Sequence, residues 1–505
     1  MKYVDNFLNR ITMYRLVLYY LIVLVAAAMI FGLFGLLPYG PLSIGFSLLV
    51  ILVVSWVSNK VFAWAFDAVP NSESVYITAL ILALIVSPVI YPNLSGMLLL
   101  SFISAWAMAS KYLFAIGKKH IFNPAAFAVA LSAFVIGQPA TWWVAGNVAF
   151  LPFILIGGFL VVRKIKRADL FWSFTIVSLI AVAYGALPQN PTSSIWMTLL
   201  HSSFFFFAFV MLTEPLTTPP TRWLQIVYGA IIGLLFAPNI HLGYFYFTPE
   251  QALLVGNLLA YIVSPKGRAM LSLVERKKLS DDTYEFVFKS DRRISFRPGQ
   301  YLEWTLGRFW PDSRGNRRYF TIASSPKEKY IRMGVKFYSP PSKFKLALAR
   351  MKKGDTISAS HLAGDFVLPK NKKQKMVFIA GGIGVTPFRS MIQYLVDNRE
   401  RRSAILLYSN KSVDDIAYKD IFDQAEKAVG LKTKYFITDE DAPVPAFAHA
   451  GKIDLESIAS DVPDYQRRTF YISGPPSMVN DFKQTLRDMG VPRRKIKTDF
   501  FPGFV

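Results

Sequence analysis

The chain has 505 residues, 53% of them hydrophobic, with 56 Lys and Arg against 33 Asp and Glu, a net charge of +23, and no cysteine. The missing thiols exclude disulfides, thiolate zinc sites, c-type haem attachment and Cys-ligated iron–sulfur clusters within this sequence. Length points to several domains, and no nucleic-acid motif accompanies the positive charge, so no nucleic-acid partner is expected.

Charge divides the chain near residue 265. Only 12 of the 56 basic and 6 of the 33 acidic residues precede it. In that first part, apolar runs long enough to cross a bilayer recur near 15–37, 42–65, 74–91, 95–112, 123–137, 143–162, 169–187, 194–213, 223–238 and 249–264. Lys118, Lys119, Arg163, Lys164, Lys166, Arg167 and Arg222 all fall between spans on one side, and Lys60 lies near the same end of its span. The opposite loops carry no Lys or Arg, so the positive-inside rule predicts an even number of spans with both termini cytoplasmic. A cleavable signal peptide is not expected. The expectation is a multi-span α-helical membrane domain of about ten helices over 1–265, in the cell (inner) membrane with the lipid bilayer as its first partner.

Within these spans Asn123-Pro124 forms a capped helix start and Thr213-Glu214-Pro215 a helix end. His201, alone inside a span, reads as a packing residue rather than a haem ligand.

From 266 to 370, alternating segments such as 283–288, 301–304 and 331–337 predict an antiparallel β-barrel. At 371–505, a strand over 376–380 runs into Gly381-Gly382-Ile383-Gly384-Val385-Thr386-Pro387 and then a helix. Strand, glycine loop and helix bring a pyrophosphate onto backbone N–H groups. Further strands at 404–408, 434–437 and 469–472 make this an α/β parallel-sheet nucleotide-binding domain. Between the two, Arg318-Tyr319-Phe320-Thr321-Ile322-Ala323-Ser324 offers a guanidinium for pyrophosphate, an aromatic for a flat ring and a hydroxyl for a ring nitrogen.

These residues carry two resemblances. Segments 121–125, 77–84, 207–215, 228–235 and 252–259 resemble the RnfD-type membrane component of the Rnf complex and its counterpart in the sodium-translocating NADH:quinone reductase. That likeness implies flavin and electron transfer through the membrane. It also carries departures. Glu214 stands where the family has Asp, and the insert that bears a covalent FMN is missing. Thr141 is the residue left in that topological place, so covalent attachment is not expected. A non-covalent flavin (FMN or riboflavin) or a quinone remains open.

The second half resembles the ferredoxin–NADP reductase superfamily through segments 318–321, 381–387 and 473–478. This resemblance implies FAD and NADH or NADPH. Arg318 would hold the FAD pyrophosphate, with Tyr319, Phe320, Thr321, Ser324 and Ser342 as further flavin-side residues. Gly381, Gly382, Gly384, Thr386 and Pro387 would cradle the nicotinamide nucleotide, and Gly474 and Pro475 would shape the nicotinamide side. Thr321 and Ser473 would act in catalysis, Ser473 standing where many members have Cys. Phe500 would cover the flavin. Lys411 would bind a 2′-phosphate or simply be solvated. No metal site is expected.

The expected function is passage of electrons from cytoplasmic NAD(P)H through FAD to a membrane flavin, a quinone, a separate acceptor protein or an extracytoplasmic acceptor, with ion coupling by analogy alone. The alternatives are a haem-type ferric reductase or oxidase, and a membrane transporter with a regulatory flavin domain.

Overall fold

The computed structural model describes all residues except 1–3, 5–6, 9–10, 67–71, 92, 117–118, 188–189, 265–267, 308–315 and 500–505, and the side chains of 72 and 119. Phe500 therefore lies outside the described residues. The chain divides between Arg268 and Ala269 into two compact units.

Each of the ten apolar runs in the first unit contains a helix, but they differ in length. Met13–Leu33, Pro41–Ala65, Leu94–Leu113, Val148–Ile165 and Ala168–Gly185 are long and apolar enough to cross a membrane. Pro191–His201 and Phe204–Met211 count as a sixth if taken as one span bent by 63°. The remaining helices are shorter: Ser72–Ile85, Pro124–Ile136, Arg222–Phe236 and Pro249–Val263. The expected span 74–91 stops as helix at Ile85 because Pro88 cannot continue it and biases Ser87 toward extended backbone.

The freed groups at such breaks find partners, as they must in an apolar medium. Ile85 C=O accepts from the N–H of Thr141 (2.9 Å) and of Trp142 (3.0 Å). The Trp143 indole N–H reaches Ala83 C=O at 3.1 Å, and Val89 N–H reaches Ser47 Oγ at 2.7 Å. A loop between two helices thus closes the end of a third.

Packing follows the same pattern twice. In the first set, Pro41–Ala65 packs on Leu94–Leu113, Met13–Leu33 on Ser72–Ile85, and Leu94–Leu113 on Pro124–Ile136. In the second, Ala168–Gly185 packs on Arg222–Phe236, Leu151–Ile165 on Phe204–Met211, and Arg222–Phe236 on Pro249–Val263. Corresponding helices also meet each other: Met13–Leu33 with Leu151–Ile165, and Pro124–Ile136 with Pro249–Val263. Small residues permit the closest approaches. A Cβ on Gly229 or Gly233 would lie 2.7 Å from a backbone oxygen of Ala168–Gly185.

The second unit holds two six-stranded sheets. The first is antiparallel and curled, in the order Arg317–Thr321, Tyr301–Thr305, Thr356–Ala363, Ala269–Lys278, Thr283–Ser290, Ile331–Lys336. Its two edge strands are bridged where Ala323 N–H donates to Arg332 C=O at 2.8 Å. Phe286, Phe288, Trp304, Ile322, Met333 and Phe344 fill its interior.

The second sheet is parallel, in the order Ala448–Ala450, Lys432–Ile437, Ala404–Asn410, Met376–Gly381, Thr469–Ser473, Ile496–Thr498. Met376–Gly381 is buried throughout, as a parallel strand covered on both faces should be. Two apolar clusters, one on each face, make the core. Strand order reverses between Met376–Gly381 and Thr469–Ser473. This switch point opens a crevice at the strands' carboxyl ends, where open α/β sheets take their ligands.

Candidate functional site

The glycine loop leaves the sheet at that switch point. Gly382 has φ +51 and open space where a Cβ would be, a conformation that L side chains adopt at a cost. A Cβ on Gly384 would lie 2.5 Å from Ser473 C=O and 2.6 Å from Gly474 Cα. Only glycine lets the two loops approach this closely. Gly381 faces the same loop, where an added Cβ would collide with Met478 Sδ and press on Pro475 Cδ at 3.2 Å.

The sequence-predicted residues Gly381, Gly384, Ser473, Gly474 and Pro475 therefore lie together. Thr386 donates Oγ1 to Ile383 C=O at 2.6 Å, bracing the loop at the start of helix Thr386–Asp397, and Pro387 sits in its first turn. Ser473 Oγ donates to Asp499 Oδ2 at 3.1 Å, a pairing that residue spacing could not reveal. Lys497 Nζ lies 3.1 Å from Tyr471 Oη; burial, then the Arg297 charge, holds this ammonium below the usual lysine range.

Strand Arg317–Thr321 carries the other group of sequence-predicted residues. Its pleat separates neighbours onto opposite faces. Arg318 lies with its guanidinium 5.2 Å from the Phe344 ring centre, and Phe320 shares that ring at 6.1 Å. Arg318 Nη1 also donates to Arg317 C=O at 2.6 Å. The opposite face carries Arg317, Tyr319 and Thr321. Tyr319 is 7% exposed, and its hydroxyl donates to the buried Glu303 Oε2 at 2.7 Å, while Arg317 Nη1 reaches Glu303 Oε1 at 3.2 Å.

Arg318 and Phe320 thus share a face that can offer charge and an aromatic ring together, and Tyr319 braces the strand from behind. Ser324 is fully buried; its Oγ accepts from Arg332 N–H at 3.2 Å and its carbonyl from Ser390 Oγ at 2.7 Å. Ser342 Oγ accepts from Lys345 N–H at 3.2 Å as a helix cap.

The membrane unit gathers its own polar cluster. Asn123 N–H donates to Asn257 Oδ1 at 2.8 Å, and Asn123 Nδ2 to Glu214 Oε2 at 2.9 Å. Thr217 Oγ1 adds a bond to the same carboxylate oxygen at 3.0 Å, and Asn257 Nδ2 reaches Tyr228 Oη at 3.0 Å. His120 Nε2 stands 3.8 Å from Glu214 Oε1. Four segments distant in sequence meet here, and a small cleft lined by His120, Thr217, Asn257 and Tyr261 opens beside them.

Lys111 lies on helix Leu94–Leu113 with Nζ bonded to Thr78 Oγ1 at 3.0 Å and Ser74 C=O at 3.1 Å. Thr141 stands apart from this cluster. Its hydroxyl reaches Ile85 C=O at 3.2 Å and pairs with Ser87 Oγ at 3.0 Å, as part of the loop that closes helix Ser72–Ile85.

Three stretches of the chain match known families. Residues 144–265 match the NQR2, RnfD, RnfE family. Residues 270–367 match the oxidoreductase FAD-binding domain and 378–484 the oxidoreductase NAD-binding domain. A flavohemoprotein of Bacillus cereus is 29% identical over 241 residues, covering 45% of this chain and 60% of that protein. One from Candida albicans is 30% identical over 213 residues, covering 40% and 50%. The chain thus spans less than two thirds of these relatives. Among solved structures, the flavohem-like FAD/NAD-binding domain of a nitric oxide dioxygenase from Vibrio cholerae O1 biovar El Tor aligns with TM-score 0.41 and 19% identity, over 46% of this chain and 98% of that one. Residues 270–484 thus match an FAD-binding and an NAD-binding oxidoreductase domain in succession, and in this chain they follow a segment that matches the NQR2, RnfD, RnfE family.

Proposed function

We propose that this protein takes electrons from cytoplasmic NAD(P)H and passes them through FAD into or across the membrane. The observation that carries this reading is the meeting of Gly384 with Ser473-Gly474 at the switch point of a sheet that shares its unit with the strand bearing Arg318 and Phe320. Arg318 would hold the FAD pyrophosphate and Phe320 would lie against the flavin, whereas the Thr321 side chain, 4% exposed on the strand's other face, would not share that contact. Gly381, Gly382, Gly384, Thr386 and Pro387 would receive the nucleotide pyrophosphate, while Gly474 and Pro475 bound the nicotinamide. Ser473, held by Asp499, would keep a hydroxyl oriented beside it. When bound, FAD supplies the conversion between a two-electron hydride donor and a one-electron acceptor.

NADH is the favoured donor. Lys411 follows strand Ala404–Asn410, and its carbonyl accepts from Asp439 N–H at 3.1 Å. Asp439, Glu440 and Asp441 are consecutive, so a 2′-phosphate there would meet more negative than positive charge.

The basic loops support a cytoplasmic side for both termini and the soluble unit. The acceptor would be a quinone or a non-covalent FMN or riboflavin in the membrane unit, or a separate protein. Thr141 is already engaged in closing a helix, which supports non-covalent binding. Ion coupling is supported by two carboxylates in the membrane unit: Glu214 within its cluster, and Glu250, 1% exposed, in the first turn of Pro249–Val263.

The test uses the purified full-length protein. Flavin absorbance should be present and NADH should bleach it anaerobically. Reoxidation by a quinone analogue in proteoliposomes should follow, and Glu214→Gln should slow reoxidation roughly tenfold while leaving bleaching intact. A preparation without flavin, or a flavin that NADH and NADPH both fail to reduce, would sink the proposal.

A further inference from the structure

The antiparallel and parallel sheets of the soluble unit are joined by a line of buried and half-buried charge made of residues that no cofactor role has been given. Arg389 lies in the first turn of helix Thr386–Asp397, directly after the glycine loop, and its side chain is 5% exposed. Its Nη1 donates to Ala323 C=O at 3.0 Å and to Glu328 Oε2, and its Nη2 to Glu328 Oε1 at 3.0 Å. Glu328 also accepts from Ser325 N–H at 2.6 Å and from Arg332 Nε at 2.9 Å. Arg332 Nη1 continues to Glu285 Oε2 at 2.6 Å, a carboxylate 4% exposed. Beside Arg389, Ser390 Oγ donates to Ser324 C=O at 2.7 Å.

The connectivity is specific. Ala323, Ser324 and Ser325 continue the chain from Thr321, the last residue of the strand that bears Arg318 and Phe320. Each of the three is tied either to the helix after the glycine loop or to the glutamate that grips that helix. Tyr418 closes the line from the α/β side, with the Arg389 guanidinium 5.7 Å from its ring centre. Gly334 makes room for it: an added Cβ there would come within 2.9 Å of Tyr418 Oη and 3.0 Å of Ile383 Cδ1.

Such a network is a poor way to gain stability alone. Removing charges from water costs about as much as their attraction returns, and apolar side chains of similar size join domains as well or better. A bidentate guanidinium–carboxylate pair does fix distance and plane, because two parallel bonds must both be met. The helix held by Arg389 starts at the loop that receives the nucleotide, so any tilt of the helix moves that loop against the flavin strand.

We propose that Arg389 and Glu328 are positioning residues that set the distance and angle between the nucleotide loop and the flavin strand. This rests on the FAD and NAD(P)H reading above. A misplacement on the order of 1 Å between reacting groups is enough to lower a rate about 10²-fold.

The experiment compares wild-type full-length protein with Arg389→Lys, Glu328→Gln and the double variant Arg389→Met/Glu328→Met. FAD content, melting temperature, nucleotide dissociation constant, limiting rate of anaerobic flavin reduction and the long-wavelength charge-transfer absorbance with NADH are measured. Both single variants are expected to keep FAD and bind NADH within about threefold of wild type. Their limiting reduction rates should fall between about 10- and 100-fold, with the charge-transfer band weakened. Lysine keeps the charge but cannot make the fork, so its failure would point to geometry. The apolar double variant should recover melting temperature without recovering the rate. Wild-type limiting rates in Arg389→Lys and Glu328→Gln, or rates restored by the apolar pair, would overturn the proposal. Wild-type protein that lacks FAD would overturn the reading beneath it instead.

Discussion

In the membrane unit, side-chain and loop polar groups close interrupted helices; in the soluble unit, they join one domain to another. Thr141, Trp142 and Trp143 cap Ser72–Ile85, and Asn123 and Glu214, beside helix ends, join a cluster with Tyr228 and Asn257 from within two other helices. Arg389, Glu328 and Arg332 instead bridge two complete sheets. A water-free surrounding makes an open backbone end the most costly defect. In the soluble unit the ladders are already complete, and the remaining question is how two rigid bodies are oriented.

That contrast predicts that changes in the nucleotide loop and the flavin strand alter flavin chemistry with the fold retained, while a change in the loop that closes Ser72–Ile85 alters stability with flavin reduction retained. The largest effect should come from Arg318→Ala. Loss of a charge-assisted phosphate grip of about 2–3 kcal/mol should weaken FAD binding roughly 30- to 150-fold, read as flavin absorbance per mole of purified protein. Full flavin content in this variant would remove Arg318 from the site.

Gly384→Val comes next. Its side chain must displace the Ser473 carbonyl, an overpacking cost of about 1–3 kcal/mol. FAD should remain while NADH-dependent bleaching slows by at least about tenfold, measured by anaerobic stopped flow.

Thr141→Val tests the other side of the comparison. It keeps the backbone bonds to Ile85 but removes the hydroxyl pairing with Ser87. Thermal stability in detergent should drop by about 1 kcal/mol, with flavin reduction by NADH unchanged. A changed reduction rate with unchanged stability would contradict the division of labour.

The smallest effect concerns Asp464. The Arg468 guanidinium, and then Lys375, lower its carboxyl from 3.8 to about 2, and the cluster anchors the entries of two central strands, since Arg468 Nη1 also reaches Met376 C=O at 3.2 Å. A depressed carboxyl stabilises the fold above its unfolded value, and that contribution disappears as pH falls from about 4 toward 2. Solvent screening holds it to about 1 kcal/mol. Asp464→Asn should lose this much at pH 7 and only a small part of it at pH 2, by denaturant titration.

The two units also differ in how far their sequence can be read. The loops at 381–387 and 473–475 are legible because strand, loop and helix follow one another in the chain, so local pattern already contains the site's shape. The alternation at Arg317–Thr321 is equally local, yet sequence alone groups Tyr319 with Arg318 and Phe320; the pleat sends it to Glu303. Ser324 and Ser342 draw attention as hydroxyls near phosphate motifs, while their hydrogen bonds serve Arg332, Ser390 and a helix cap. The Arg389–Glu328 pair is invisible in the sequence because its partners lie 61 residues apart and neither sits in a recognisable pattern.

In the membrane unit, apolarity locates every helix but not its end. Val86, Val89 and Ile90 are as apolar as the helix before them, and only Pro88 marks where helical bonding stops. The strands Ala448–Ala450 and Ile496–Thr498 escape notice for the opposite reason: three residues are too few to show a period.

The loop that closes Ser72–Ile85 also imposes an order on biosynthesis. Thr141, which supplies its hydroxyl and N–H to Ile85, emerges 56 residues after it. Until then the helix enters the bilayer with its last carbonyl exposed, and the intervening segment 94–136 has to be threaded first. Ribosome-bound chains from which Thr141 has not yet left the ribosome should therefore hold this helix loosely in the translocation channel, and chains long enough for Trp143 to have emerged should release it into lipid.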